Sequence, residues 1–226
     1  MRRGLIRVRA LEGGAHATPG AGCQIGDGVQ DSMVVGAGTR IVVIGTSGAG
    51  KTTLARKIAE RLGLPHIELD AINWQPGWRD LDRHDQPEFV RRVALAVQAE
   101  RWVADGNYGS VRDMLWRRAT HLVWLDYERP VVMARVIVRS VYRATLRGEL
   151  WAGTGNRERW RDFMRPSHPI RWAWSTWRQR RRETEERLRR PEFAHLVVFR
   201  LRRPAEARGV VNRLQPGSAA SARQYP

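Results

Sequence analysis

The sequence of 226 residues predicts an α/β fold in which helices cover both faces of a parallel sheet. Short apolar segments alternate with helical segments along the chain, and this alternation is typical of that fold class. A glycine-rich loop, residues 45–52, joins the first of these apolar segments to the first amphipathic helix. Because ligands in such sheets bind beyond the carboxyl ends of the strands, we expect the functional residues to follow the strands directly.

The first strand and helix have the clearest pattern. Residues 40–45, RIVVIG, are rich in β-branched side chains and predict a short buried strand. A helix is predicted at 52–62, because Leu54 and Ile58 lie four apart on one face, and Gly63 supplies its C-terminal cap. The loop between them therefore opens onto a helix N-terminus.

The remaining elements follow in the same alternation. Further strands are predicted at 66–70, 101–106, 120–126 and 195–201, and further helices at 85–100, 130–147, 169–190 and 204–214. We interpret residues 40–214 as one domain whose irregular segment, about 148–165, forms a lid. Residues 1–39 are interpreted as a poorly ordered extension and residues 215–226 as a disordered tail.

The chain is strongly basic, with 40 Lys and Arg against 23 Asp and Glu and a net charge of +17. All of the basic residues except Lys51 and Lys57 are arginine, which indicates either phosphate binding or a GC-rich codon bias. The single cysteine, Cys23, excludes an intrachain disulfide framework and favours the cytoplasm. No apolar run approaches the ~18 residues of a membrane span, so we expect no membrane partner.

The loop matches the motif G-x-x-x-x-G-K-[ST] at every fixed position. Its glycines let backbone N–H groups face a phosphate, and the helix dipole adds to the attraction. We expect Lys51 to contact the β- and γ-phosphates and Thr52 to bind Mg²⁺, so the implied cofactors are ATP and Mg²⁺. The predicted cofactor-binding residues here are Gly45, Thr46, Ser47, Gly48, Ala49, Gly50, Lys51, Thr52 and Thr53.

Two carboxylates that follow predicted strands are further candidates. Asp105 is predicted to hold the metal with Thr52, and its alternative role is to cap the next turn. Asp70 is predicted to be catalytic, as a general base or as an acceptor of a substrate hydroxyl; capping is again the alternative. A third carboxylate, Asp126, follows the fourth strand of the predicted domain.

Arginines recur every four residues along the helix at 130–147 and predict a stripe of guanidinium groups facing bound phosphate. Arg135 and Arg139 are the predicted nucleotide contacts, and Arg139 is also counted with Lys51 as catalytic. The weaker candidates are Arg143, Arg147 and Arg157, the last in the segment 148–157, which we interpret as a mobile lid. Val132, Val136 and Val138 are expected to bury the opposite face of the helix.

Aromatic residues lie in two places. Trp74 and Trp78 follow Asn73 near Asp70, where they either stack on an acceptor ring or pack the loop, the interpretation we favour. Trp172, Trp174 and Trp177 interleave with arginines that include 180–182, and these residues either bind nucleic acid, seat on a membrane surface or pack the helix while the arginines face water. Packing is again favoured.

The chain resembles P-loop kinases of the adenylate-kinase type, and most closely the bacterial subgroup labelled topology modulation proteins. The resemblance covers roughly residues 40–214 and rests on IGTSGAGKTTLAR, LDAINWQPGW, WVADGNYG, WLDYERPVVMARVIVRSVYR and GELW…GNRE. It implies a five-stranded parallel sheet of order 2-3-1-4-5 and transfer of the ATP γ-phosphate to a small acceptor. By position, Arg135 and Arg139 match the two arginines that contact adenine and phosphate in adenylate kinases.

The chain departs from that family after Asp105 and Gly106. Adenylate kinases continue with a proline and an arginine that grip the acceptor phosphate, whereas this chain has Asn107, Tyr108 and Gly109. The departure weighs against a nucleoside monophosphate acceptor, and Arg112 is the candidate substitute. The acceptor is therefore left open between nucleotides, nucleosides, sugar acids and other hydroxyl compounds.

Two other functions compete with a small-molecule kinase. A switch GTPase or motor shares only the loop, and the sequence has neither D-x-x-G nor N-K-x-D. A nucleic-acid-associated ATPase is suggested by the net charge of +17 and by the Trp/Arg helix. We favour the kinase, because the loop, Asp105 and the arginine stripe all serve phosphate transfer.

Overall fold

A parallel sheet lies at the centre of the computed structural model, which describes residues 25–27, 34–35, 38–146, 148–164, 168–213 and 215–216. The strands are β1 Ile25–Asp27, β2 Val34–Val35, β3 Arg40–Gly45, β4 His66–Glu68, β5 Trp74–Gln75, β6 Arg79–Asp80, β7 Trp102–Asp105, β8 His121–Leu125, β9 Val197–Leu201 and β10 Gln215–Pro216. The helices are α1 Lys51–Leu62, α2 Leu69–Asn73, α3 Leu81–His84, α4 Gln86–Ala96, α5 Gly109–Arg118, α6 Arg129–Leu146, α7 Pro169–Leu188 and α8 Pro204–Arg213. Single 3₁₀ turns span Pro76–Trp78, Trp160–Met164 and Pro191–Phe193.

The central sheet has the order β1-β9-β8-β3-β7-β4, and all of its strands are parallel. The five predicted strands therefore occur in the predicted order 2-3-1-4-5, which confirms the fold class. Strand β1 adds a sixth member at the edge, beside β9. The prediction of a poorly ordered extension and tail did not anticipate β1, nor the pairing of β2 with β10. Of the other residues in those two segments, Gly38 and Thr39 are described and the rest lie outside the described part of the chain.

Side chains of the sheet alternate between two apolar layers. Ile41 and Val43 face the layer that contains α1, α6 and α8, whereas Val42 and Ile44 face the layer that contains α4 and α5. All four side chains are at most 2% exposed. Helices therefore cover both faces, as predicted, and the carboxyl ends of the strands are left to carry the site. Within the described residues, no helix combines the length and apolarity that a membrane span needs.

Two local predictions are wrong. The second strand was expected to end at Asp70, but it ends at Glu68, and Asp70 lies in the first turn of α2, where the neighbouring Leu69 is buried. Val138 was expected to be buried beside Val136, but it is 69% exposed. At about 100° per residue, two positions along a helix turn a side chain to the opposite side. The buried face of α6 is instead spaced by four, with Val132, Val136, Ser140 and Ala144.

Candidate active site

The glycine-rich loop lies between β3 and α1. Gly48 and Gly50 have φ of 85° and 99°, the left-handed region that glycine adopts without a steric cost. Among the described residues no side chain caps the N-terminus of α1, so its first N–H groups are open towards the loop, where an anion would satisfy them. The eight motif residues thus form an open cradle at the position where the sequence predicts a phosphate, whereas the Thr53 side chain is exposed on α1.

Thr52 and Asp105 meet beside this cradle. The Thr52 hydroxyl donates to Asp105 Oδ2 at 2.7 Å, and His66 Nε2 lies 2.7 Å from the other carboxylate oxygen. Asp105 is 2% exposed, so its position is fixed by these two contacts. A hydroxyl and a carboxylate are hard oxygen donors of the kind that Mg²⁺ prefers, and the pair therefore fits the predicted metal.

Lys51 is the centre of the charged groups at the loop. Burial lowers the pKa of its ammonium group, while Asp70 and Asp105 raise it, and Arg139 and Arg180 lower it. Its Nζ also lies 3.5 Å from the carbonyl oxygen of Thr46. The charges of both carboxylates and of both arginines therefore act on Lys51.

Helix α6 brings both predicted arginines onto the loop. Arg135 donates to the carbonyl oxygen of Ala49 at 2.9 Å, and Arg139 donates to the Ser47 hydroxyl at 3.3 Å. Burial lowers the pKa of Arg139 to about 10, with Arg143 adding to the effect. The Arg139 Nε is buried without a hydrogen-bond partner, and a phosphate oxygen would supply one.

The weaker arginine candidates are placed unequally. Arg143 is half-buried on the same helix and faces Arg139 closely enough to lower its pKa. Arg157 is exposed, and Arg147 lies outside the described residues. Among the described arginines of the stripe, Arg135 and Arg139 make hydrogen bonds to the loop.

The acceptor side contains Asp70, although not at a strand end. Its Oδ1 accepts a hydrogen bond from the Tyr108 hydroxyl at 2.6 Å. Asn73, at the end of the same helix, is fully buried and accepts from the backbone N–H of Asp82. It therefore holds the start of α3 instead of facing a ligand.

The segment 148–157 closes over this side of the site. Asn156 accepts from the backbone N–H of Trp78 at 2.9 Å and donates to the carbonyl oxygen of Gln75 at 3.0 Å. Trp151 donates to Glu68 at 3.1 Å and stacks on Trp74, with 6.4 Å between ring centroids. The tryptophans that follow Asp70 therefore pack against the lid, in agreement with the favoured interpretation.

Arg180 is a site residue that the sequence analysis missed. It donates to the carbonyl oxygen of Asn107 at 3.3 Å and, with Gly45, Thr46 and Tyr127, lines a cleft beside the loop. The position of Arg180 along α7 is the signal that could have identified it. Buried or half-buried residues recur every three or four positions along this helix, and Arg180 is one of them: Ala173, Trp177, Arg180, Thr184 and Leu188. Burial lowers the pKa of Arg112, and the charges of Arg187 and Arg180 lower it further, so these guanidinium groups lie near one another.

The arginines of α7 were expected to face water, but not all of them do. Arg181 lies 3.1 Å from Asp126, and Asp126 also binds Arg200 at 2.6 Å. Asp126 is thus part of an ion cluster with Arg181 and Arg200, although it also lines the cleft beside the loop. Trp172 and Trp174 are 46% and 56% exposed, so packing accounts for only part of their surface.

Three comparisons place these features in context. No family model matches the chain. A shikimate kinase of Symbiobacterium thermophilum is 31% identical over 119 residues, which span 47% of this chain and 68% of that protein. A shikimate kinase of Rhodopseudomonas palustris is 29% identical over 126 residues, 49% of this chain and 62% of that protein. Among solved structures, a shikimate kinase of Bacteroides thetaiotaomicron covers 77% of this chain and 95% of its own, with 17% identity and a TM-score of 0.46.

The match to the first of these relatives extends over more than two thirds of that protein at over 30% identity. The chain therefore belongs to the family of P-loop kinases that contains shikimate kinase and its relatives.

Proposed function

We propose that this protein transfers the γ-phosphate of ATP to a hydroxyl group of a small-molecule acceptor. The observation that carries the proposal is the arrangement beside the glycine-rich loop, where Thr52 donates to Asp105 at 2.7 Å and Arg139 donates to Ser47 at 3.3 Å. The charges of Asp70, Asp105, Arg139 and Arg180 all act on Lys51, and these groups include a carboxylate for the acceptor proton and cations for the phosphate charge. The acceptor oxygen bonds to the γ-phosphorus, the bond to the β–γ bridging oxygen breaks, and ADP leaves.

Each residue has a defined part in this reaction. Lys51 and Arg139 neutralise the charge on the transferred phosphoryl group, and Arg135 holds the loop against α6 through Ala49. Asp70 takes the proton that the acceptor hydroxyl releases. Thr52 and Asp105 would hold a Mg²⁺ ion, which would offset the charge of the phosphates.

The acceptor is inferred to carry an anionic group as well as a hydroxyl. Burial and the charges of Arg187 and Arg180 lower the pKa of Arg112, and the Arg112 Nε is buried without a hydrogen-bond partner among the described residues. Arg180 donates to the carbonyl oxygen of Asn107. An anion would compensate the mutual repulsion of the Arg112 and Arg180 guanidinium groups. This pair supports the idea that Arg112 in α5 and Arg180 in α7 bind the anionic group of the acceptor, in place of the proline and arginine that adenylate kinases have after the glycine that matches Gly106. Shikimate, named in the relatives, is the first compound to test, and nucleotides and nucleosides, two of the classes that the sequence leaves open, are the second.

An acceptor screen that measures ADP release tests the proposal. Compounds with a hydroxyl and a carboxylate or phosphate are supplied with MgATP, and one of them should raise ADP release well above the rate with water alone. Lys51→Ala should abolish this activity, and Asp70→Asn should lower it. Lys57→Ala, at an exposed position of α1, is the matched control and should behave as wild type. Full activity in Lys51→Ala would refute the loop assignment.

A further inference from the structure

In the segment where adenylate kinases carry a proline and an arginine, this chain has Tyr108, and its hydroxyl lies beside the Asp70 carboxylate. Tyr108 precedes α5, which follows β7, and Asp70 lies in α2, which follows the neighbouring strand β4. The bond between the Tyr108 hydroxyl and Asp70 Oδ1 therefore joins two separate walls of the cleft. Its length of 2.6 Å is at the short end of the range for a hydroxyl donating to a charged oxygen.

The direction of this hydrogen bond is settled by the tyrosine. Burial raises the pKa of Tyr108, and the charge of Asp70 and the hydrogen bond raise it further. The phenol is therefore protonated throughout the working range of pH, and it donates to Asp70. No hydrogen bond to Asp70 Oδ2 is found among the described residues, so this second oxygen is the one that can accept a substrate proton.

Packing holds the donor in place. The Tyr108 ring lies 4.9 Å from the ring of Phe89, which is fully buried. On the other side, a Cβ at Gly106 would come within 2.7 Å of Leu69 Cβ, so the chain after β7 approaches the start of α2 as closely as only glycine permits. This close approach brings the hydroxyl of Tyr108 within reach of Asp70.

We propose that Tyr108 is a positioning residue for Asp70, holding one carboxylate oxygen so that the other can take the proton of the acceptor hydroxyl. This inference rests on the proposed function, in which Asp70 is the general base. The carboxylate of Asp70 can rotate about χ2, and the hydrogen bond from Tyr108 on the other wall of the cleft restricts that rotation. Orienting a catalytic group in this way contributes to the rate and not to nucleotide affinity.

A double-mutant cycle tests the inference. ADP release from MgATP is measured for wild type, Tyr108→Phe, Asp70→Asn and the double variant, with the best acceptor of the screen and with water alone. Tyr108→Phe should lower kcat about ten- to a hundredfold and leave KM for ATP unchanged, because only an orienting hydroxyl is lost. In the Asp70→Asn background the same change should lower kcat less than about twofold, since the base is already missing. Tyr142→Phe, at a 64% exposed position of α6, is the matched control and should not change kcat.

The outcomes separate this inference from the proposed function. Equal losses in both backgrounds, or wild-type kcat in Tyr108→Phe, would overturn the positioning role while the kinase activity stands. A wild-type protein that binds MgATP but never releases ADP would overturn the proposed function and, with it, the role of Asp70 as a base. The same four proteins, compared by free energy of unfolding, report independently whether the two side chains are coupled. If the Tyr108 hydroxyl had only a structural role, the two substitutions would be coupled in the free energy of unfolding, but their effects on kcat would be additive.

Discussion

Asn156 in the lid accepts a hydrogen bond from the backbone N–H of Trp78 at 2.9 Å, and Trp78 has a φ of 62°. Among the described residues Trp78 is the only non-glycine with positive φ, a conformation that costs about 1–2 kcal/mol for an L-residue. The hydrogen bond from the lid offsets that cost. The hairpin formed by β5 and β6, residues 74–80, and the segment 148–157 therefore depend on each other.

Asn156→Ala should therefore loosen the lid. The side chain is 1% exposed and makes two hydrogen bonds to the hairpin, and its loss should destabilise the protein by about 1–3 kcal/mol. Faster amide hydrogen exchange at Trp78 and in 148–157 is the expected measurement. Gln179→Ala, at an exposed position of α7, is the control and should leave exchange in the lid unchanged. Unaltered exchange in Asn156→Ala would show that the lid is held by other contacts.

Gly48→Ala should separate the phosphate loop from α6. A Cβ at this position would lie 2.6 Å from Val136 Cβ, and φ is already 85°. Either the loop or α6 must move, and Arg135 and Arg139 then lose their contacts with the loop. We expect a loss of ATP affinity in calorimetry together with lower stability.

Gly63 supplies the matched control for that substitution. Its φ is 61°, and an added Cβ meets no atom within 4 Å. Gly63→Ala should thus cost only the backbone term of about 1–2 kcal/mol and leave ATP affinity unchanged. If the two alanine variants bound ATP equally well, close packing of Val136 on the loop would not matter for nucleotide binding.

The loop and the contact between Thr52 and Asp105 could be predicted from sequence because they depend on local pattern. Gly45 to Thr52 matches a motif at fixed spacing, and Asp105 ends β7, a strand whose neighbour in the sheet is β3. Arg135 and Arg139 could be predicted because four-residue spacing on a helix fixes a common face. The strand order, by contrast, came from the family resemblance, since alternation alone does not determine it.

Contacts between distant segments could not be predicted in this way. Tyr108 meets Asp70 across 38 residues, and Asn156 meets Trp78 across 78 residues, without any local pattern that pairs them. Arg180 was missed for a different reason: it lies in a run of three arginines, and only the burial of its helix face distinguishes it from Arg182, which is exposed.

Arg200→Met should strongly destabilise the protein. Arg200 is 8% exposed, and it binds Asp126 and Glu185 while lying 4.3 Å from the Trp124 ring centroid. Its removal leaves the buried Asp126 carboxylate with fewer partners, and breaking a buried ion pair costs about 3–5 kcal/mol. Denaturant unfolding measures the loss.

An exposed ion pair gives the comparison for Arg200. Arg117 and Glu192 lie 3.2 Å apart, with side chains 61% and 36% exposed. Arg117→Met should cost less than about 1 kcal/mol, because water and salt screen such pairs. Similar costs for the two methionine variants would mean that Asp126 is well solvated without Arg200.

His121 should make stability depend on pH between about 4 and 6.5. Burial lowers the pKa of His121 from 6.5 to about 4. In that interval the unfolded chain binds a proton that the folded protein does not, so stability falls as pH falls from 6.5 towards 4 and is fully present above 6.5. The largest effect of this one group is about 3 kcal/mol, from 1.36 kcal/mol per pKa unit.

His121→Gln removes the titration and should flatten this part of the stability profile. The free energy of unfolding is measured at intervals from pH 4 to 7 for both proteins, and the difference between them should grow with acidity in favour of the variant. Thr145→Val, at an exposed position without a titratable group, should run parallel to wild type throughout. Parallel profiles for His121→Gln and wild type would contradict the buried, neutral imidazole, because a histidine with the same pKa in both states adds no pH dependence.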